Sequence, residues 1–376
     1  MKRPLKVAIA GYGNAGELHA RLLAARPQVG IVAVADLTSA RRASAAAAYP
    51  DAVVAVRLDG LDMGIDLVVV ATPPVSHESD TYVALTQHRA HVLCEKPAVL
   101  DPERGRGLAA QAAAANLLLH PVHNYLHASA FRRMKQLIER GAVGRIKTID
   151  IDITRTAAAT GNAAWTPAWR TDPALGGGIL RDHGPHAIYL ACHLAGGPAS
   201  RVSCATEAGD QGADRAAAIQ LDFADSTSAR INLTWAGRRR SNRYDVGGTG
   251  GTLSLHGGRL RLNTPQQERC WEVEDPASGG HAHADWTDAL HGGLLAQIHA
   301  LIPPSDPWSQ AIHVADVILA SGISAERGGQ TVTLDRHLRR PEDRPRLGAR
   351  VGTGEVRSAP MAPEPAPTRA RRKGST

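Results

Sequence analysis

The sequence predicts an α/β protein built on two unlike sheets. The first is a doubly wound parallel sheet, and the second is an open, largely antiparallel sheet in an α+β region. Three observations carry this. The first third alternates short apolar runs with alanine-rich helical stretches, the pattern of β-α units around a parallel sheet. Those runs are continuously apolar, as strands covered on both faces are. From about residue 121 the texture changes to successive strand-like runs joined by glycine turns.

Taken in order, strands are predicted at 5–10, 31–35, 67–71, 91–94 and 117–120. Helical periodicity lies between them at 15–25, 40–48, 80–88 and 103–115. The stretch 68–80, VVVATPPVSHESD, reads as a buried strand running into a double-proline loop. A helix over 128–140 is stopped by Gly141. Strands are then expected at 146–154, 199–207, 217–223, 227–235, 243–247, 251–256 and 260–262. Helices over 286–301 and 311–325 and a short strand at 331–334 close the pattern. The boundaries drawn are residues 1–122 for the first domain, 123–340 for the second, and 341–376 for a tail. The tail is rich in Pro, Ala and Arg and too poor in apolar residues to fold, so it is expected to be disordered.

Bulk properties exclude several classes. No apolar run approaches the roughly 20 residues that span a bilayer. The basic N-terminus runs into a glycine turn rather than a signal sequence, so a cytoplasmic location is expected. The formal charge of +7 is partly a property of the tail, and only 4% of residues are aromatic, so nucleic acid is not an expected partner. Four scattered cysteines suggest neither disulfides nor a zinc site. Three histidines in 120–127 and the pair His281 and His283 lack an evident further ligand, so no metal is expected.

The segment after the first strand, Gly11-Tyr12-Gly13-Asn14-Ala15-Gly16, opens a helix and is followed at Asp36 by an acid ending the second strand. This is the dinucleotide-binding fingerprint of a Rossmann fold. The glycines make the turn, admit the pyrophosphate and let helix and strand approach. The helix N-terminus offers free N–H groups to phosphate. Asp36 would bind ribose hydroxyls and repel a 2′-phosphate, favouring NAD, with Arg41 and Arg42 leaving NADP possible. Thr72, Pro73 and His77 follow a strand whose carboxyl end opens on the nicotinamide side of the crevice. His77 is read either as a cofactor neighbour or as a helix-cap residue.

Only six of the 43 basic residues are lysine. One of them, Lys96, stands between Glu95 and Pro97 at the carboxyl end of a predicted strand. Arginine does not give up its proton in proteins, whereas lysine can. A proton donor or acceptor is useful there, and Pro97 holds Lys96 extended. Glu95 would hold the ammonium group or touch the cofactor ribose.

The glycine loop, Asp36, ATPP at 71–74 and above all Glu95-Lys96-Pro97 resemble the glucose-fructose oxidoreductase, inositol dehydrogenase and rhizopine-catabolism (Gfo/Idh/MocA) family. The likeness continues through 130–149, 169–197 and 310–334. It implies an NAD(P)-dependent oxidoreductase moving a hydride to or from a carbinol carbon of a sugar, cyclitol or related polyol. It also implies a homodimer or homotetramer formed through the second sheet. By the same resemblance Lys96 and His186 are the proton-handling pair, and Asp182 orients His186 or binds a substrate hydroxyl. Substrate contacts are further expected from His123, Asn124, Trp169 and Arg170, and Trp165 is a stacking candidate. Three features depart from the family pattern. Pro185 interrupts the spacing of Asp182 and His186, Tyr189 replaces a frequent Asp, and Leu126 and Ser129 replace a frequent Arg and Pro. Two alternatives remain: an NAD-dependent glycosidase of the same superfamily, and a non-catalytic dinucleotide-binding regulator.

Overall fold

The structure, a computed structural model, describes residues 3–159, 168–210, 212–276, 283–300, 302 and 305–334. The tail from residue 341, Trp165 and His281 lie outside the described residues. Strand β1 (Leu5–Ala10) enters helix α1 (Asn14–Ala24), and β2 (Val29–Ala35) enters α2 (Ser39–Ala48). Then come β3 (Val53–Ala55), β4 (Leu67–Val70), α3 (Pro74–Thr86), β5 (His91–Cys94), α4 (Pro102–Ala114) and β6 (Leu119–Pro121). The six strands form a parallel sheet in the order β3-β2-β1-β4-β5-β6. That is the doubly wound order, with the switch point between β1 and β4.

β3 and the start of α3 differ from the sequence reading. β3 pairs only with β2 and is three residues long, too short for a periodic signal. α3 begins at Pro74 rather than at residue 80. Pro73 stands at the N-cap and Pro74 in the first turn, where a fixed φ and a missing N–H cost nothing.

The second sheet follows α5 (Ser129–Glu139). It begins with β7 (Ile146–Thr154) and is then interrupted by α6 (Ile179–Asp182) and α7 (Gly184–Ala195). It continues through β8 (Ala199–Ala208), β9 (Asp214–Phe223), β10 (Ser228–Thr234) and β11 (Ser241–Gly248). β12 (Thr252–His256), β13 (Arg259–Asn263) and β14 (Glu268–Glu272) complete one side. The order is β14-β13-β12-β11-β7-β10-β9-β8-β15, with β15 at Val332–Thr333. Every pairing is antiparallel except β7 with β10. Along β7, Ile149, Ile151 and Ile153 point inward and are buried, while Asp150 and Asp152 alternate with them on the other face.

Two late helices bind the sheets together. α8 (Ala284–Ile298) gives Leu290, Leu294 and Leu295 to one core of the first sheet and Trp286 to the core of the second. α9 (Pro307–Glu326) gives Trp308, Ala311, Ile312 and Ala315 to the first sheet and Val314, Val317, Ala320 and Ile323 to the second. Trp308 Nε1 also donates to the Gly105 carbonyl at 3.1 Å. Each fully buried large apolar side chain contributes about 1.5–3 kcal/mol. No described helix is long and apolar enough to cross a membrane.

Candidate active site

The glycine loop forms the floor of the crevice at the carboxyl ends of β1, β2 and β4. Gly11 has φ +86°, and a Cβ there would lie 2.6 Å from the Ala71 carbonyl oxygen. A Cβ on Gly16 would lie 1.9 Å from the Gly11 carbonyl oxygen. Gly13 is the N-cap of α1, and no side chain caps the helix. The N–H groups of Asn14, Ala15 and Gly16 are therefore at the helix end, where a phosphate is bound. At the end of β2, Asp36 is 7% exposed. It accepts the Tyr12 N–H at 2.7 Å on Oδ2 and the Thr38 N–H at 2.7 Å on Oδ1. Its remaining lone pairs can accept ribose hydroxyls. Arg42 is occupied by the carbonyls of Asp36 and Leu37, both at 2.8 Å, and Arg41 stands 3.7 Å from Asp36. The uncapped helix end and the glycine cradle fit a dinucleotide, and the residues that would hold it are Gly11 through Gly16 and Asp36.

On the other side of the crevice, Thr72 donates to Asp80 at 2.7 Å, and Pro73 is exposed. His77 is buried in α3, with Nδ1 at 2.8 Å from the Pro97 carbonyl and Nε2 at 2.7 Å from the Thr72 carbonyl. It ties the Thr72 loop to the Lys96–Pro97 turn. The Lys96–Pro97 peptide is cis. Glu95 accepts the Lys96 N–H on Oε2 at 3.0 Å and meets His19 Nε2 through Oε1 at 3.1 Å.

Lys96 reaches across to α6. Its Nζ donates to Asp182 Oδ1 and to the Asp182 carbonyl, both at 2.9 Å. An ammonium group has three N–H donors, so one remains. Asp182 is 2% exposed, and its Oδ2 accepts Arg170 Nε at 3.0 Å. Burial alone would raise the Asp182 pKa. The nearby charges of Lys96 and Arg170 prevail and hold it well below the usual carboxylate range. The Arg170 guanidinium also lies over the Trp169 ring, 4.6 Å from its centroid.

The helix breaks at His183, with Pro185 in the first turn of α7, so Asp182 and His186 do not share a continuous helical face. The carboxylate of Asp182 faces Lys96, Arg170 and His183 instead. His186 is oriented by Tyr189, one turn on, with Nδ1 3.0 Å from the hydroxyl. The Tyr125 N–H donates to that same hydroxyl at 3.2 Å. If that hydroxyl gives its proton to His186 Nδ1, the imidazole proton stands on Nε2. Burial and the charge of Lys96 hold the His186 pKa well below 6.5, so the ring is neutral. Its face packs on Tyr125, centroids 4.6 Å apart.

His123 is deeper. It stacks on Tyr189 at 4.1 Å, its Nδ1 is 2.9 Å from Gln310 Oε1, and burial pushes its pKa down to about 3. Neighbouring Asn124 has a buried Oδ1 without a hydrogen-bond partner. The glycine run before α6 is dictated by packing. A Cβ on Gly178, at φ +115°, would lie 2.1 Å from Asp214 Oδ1, and the other oxygen of Asp214 accepts the Leu180 N–H at 2.7 Å. Among the described residues no group of three or more His, Cys, Asp or Glu side chains stands together to hold a metal. Sequence reasoning did not assign functional positions to Tyr125 or His19. Tyr189 was noted only as a departure, although its spacing of three from His186 was a legible signal.

Uncapped helix end, glycine cradle and acid define a class: an NAD-binding Rossmann-fold protein whose cofactor crevice faces a second, largely antiparallel sheet. Comparison with known proteins gives the family. Residues 5–123 match the oxidoreductase family model with an NAD-binding Rossmann fold, and residues 131–254 match the GFO/IDH/MocA C-terminal domain. The chain belongs to the Gfo/Idh/MocA oxidoreductase family, and the resemblance read from its motifs holds. An uncharacterized oxidoreductase of Schizosaccharomyces pombe is 32% identical over 202 residues, 52% of this chain and 54% of that one. The D-glucoside 3-dehydrogenase of Escherichia coli is 28% identical over 199 residues, 52% of this chain and 55% of that one. The match thus spans about half the length of these relatives. The crystal structure of GenD2 from gentamicin A biosynthesis, in complex with NAD, has a TM-score of 0.75 at 25% identity, covering 89% of this chain and 97% of that one.

Proposed function

We propose that this protein is an NAD-dependent dehydrogenase or reductase acting on a CH–OH group of a sugar, cyclitol or related polyol. The observation that carries the reading is the bridge from Lys96 to Asp182. It places an ammonium group with one uncommitted N–H between the dinucleotide crevice and the second sheet. Bound NAD supplies the acceptor or donor of a hydride. In reduction, Lys96 donates its third N–H proton to the substrate carbonyl oxygen as the hydride reaches carbon, and the resulting amine regains a proton from solvent. In oxidation, the neutral amine takes the hydroxyl proton. His186 presents Nε2–H to a substrate oxygen and fixes its direction. Asp182 and Arg170 hold Lys96 in place, and Trp169 and Asn124 bound the space for the rest of the polyol. The dehydrogenase and nucleotide-bound relatives support this assignment of substrate class and cofactor.

We also place a functional division at residues 122/123 and the protein in the cytoplasm, as a homodimer or homotetramer. The oligomer contact would use the outer face of the second sheet. Ion pairs such as Asp150 with Arg230, at 2.7 Å, line that face.

The test is NADH formation from NAD⁺ over a panel of cyclitols and sugars, with wild type and Lys96→Met. Turnover that drops at least a hundredfold in the variant is expected, on the order of what a general acid–base group supplies. Turnover that survives the substitution removes Lys96 from the chemistry.

A further inference from the structure

α1 and α8 bring together two histidines that are 272 positions apart in the chain. His19 is 1% exposed and His291 is fully buried. His19 Nδ1 lies 2.8 Å from His291 Nε2, and the ring centroids are 5.0 Å apart. The other nitrogen of His19 meets Glu95 Oε1 at 3.1 Å. A carboxylate oxygen only accepts, so His19 presents Nε2–H to Glu95. In the tautomer with its one proton on Nε2, His19 offers Nδ1 as an acceptor to Nε2–H of His291, 2.8 Å away. Burial, His19, Arg26 and His120 hold the His291 pKa well below 6.5, so that ring carries one proton. Its Nδ1 is buried with no partner, which agrees with a bare lone pair and a proton on the opposite nitrogen. In that tautomer the N–H bonds of the chain point one way: His291 to His19 to Glu95.

Glu95 directly follows β5 at the cofactor crevice, with its second oxygen on the Lys96 N–H. Burial alone would raise its pKa, but the His19 hydrogen bond and the charges beside it hold it down, so it remains a carboxylate. Packing alone does not need two imidazoles in line here, since a leucine in either place would bury comparable apolar area at no polar cost. We propose that His19 and His291 are positioning residues that act in series to fix the Glu95 carboxylate toward the bound dinucleotide. The proposal rests on the reading of this crevice as an NAD site. It makes α8, a late segment of the chain, part of the cofactor machinery.

The experiment is fluorescence titration of the full chain with NADH, with no substrate present. His291→Leu should weaken NADH binding about tenfold, the equivalent of one lost hydrogen bond. His291→Gln places an amide N–H near the position of Nε2 and should return binding to within about threefold of wild type. The double variant His19→Leu/His291→Leu should bind no more weakly than His19→Leu, because His291 acts only through His19. Wild-type affinity in His291→Leu overturns the proposal. So does a His291→Gln variant no better than His291→Leu, or additive losses in the double variant. Should wild type itself fail to bind NADH, the dinucleotide reading falls first and this proposal with it.

Discussion

Replacing Asp182 by Asn tests the bridge on which the functional reading turns. The carboxylate accepts two hydrogen bonds from opposite sides, Lys96 on Oδ1 and Arg170 on Oδ2. Asn keeps the shape and one carbonyl oxygen, which can still face Lys96. Its NH2 group would then meet Arg170 Nε, donor against donor. Two cations remain buried beside a neutral group, and breaking a buried pair by removing one partner costs about 3–5 kcal/mol. Over the roughly 330 residues of the two-sheet unit, an unfolding entropy of about 2.1 cal/mol/K per residue gives about 0.7 kcal/mol/K, so the melting temperature should fall by about 4–7 °C. The pH dependence has a definite sign. The folded pKa of Asp182 is lowered, so its stabilisation is fully present above the unfolded value of about 3.9 and is lost as pH falls through the folded value. Thermal melts at pH 5 to 8 should therefore show a constant gap between wild type and variant, closing only below about pH 4. A variant that melts within 1 °C of wild type across pH 5 to 8 would refute the account of Asp182 as the anchor of Lys96.

Two further outcomes follow from the same geometry. Asp36→Ser removes the charge that repels a 2′-phosphate while a hydroxyl remains near the Tyr12 N–H. NADH affinity should fall about tenfold and the NADH/NADPH preference should narrow by a similar factor, as read by fluorescence titration with both nucleotides. Tyr189→Phe leaves the buried Tyr125 N–H without its acceptor, costing about 1–3 kcal/mol in thermal melts. It also frees the His186 ring, so kcat should fall while KM changes less. Equal changes in both would speak against an orienting role.

The first sheet was legible because its central strands are dominated by apolar residues. β1 and β5 were located to the residue by their composition and the turns beside them. The edges were not. β3 holds three residues, and β14, with Glu268, Arg269, Cys270 and Glu272 exposed, has no buried face to give an alternating pattern. The site was legible where chemistry needs a local spacing: the glycine loop, Asp36 and Glu95-Lys96-Pro97. The bond from Lys96 to Asp182 crosses 86 positions and was expected only as convergence in one pocket. Pairs such as Tyr125 with Tyr189, and His19 with His291, have no spacing signal at all. Tertiary packing alone decides which histidines meet. The pairing of Asp182 with His186 was implied by the resemblance, with Pro185 already a departure from it; the helix breaks at His183, and the carboxylate faces Lys96.

α9 fills the first sheet's core with Trp308, Ala311, Ile312 and Ala315, yet the last strand of that sheet ends at Pro121. A ribosome adding about 5–20 residues per second takes about 10–40 s over the roughly 190 residues between them. During that interval the nascent parallel sheet carries an apolar face with nothing to cover it. The cofactor crevice is thus written well before the helix that covers its sheet, and its maturation waits on a distant segment of the chain rather than on its own.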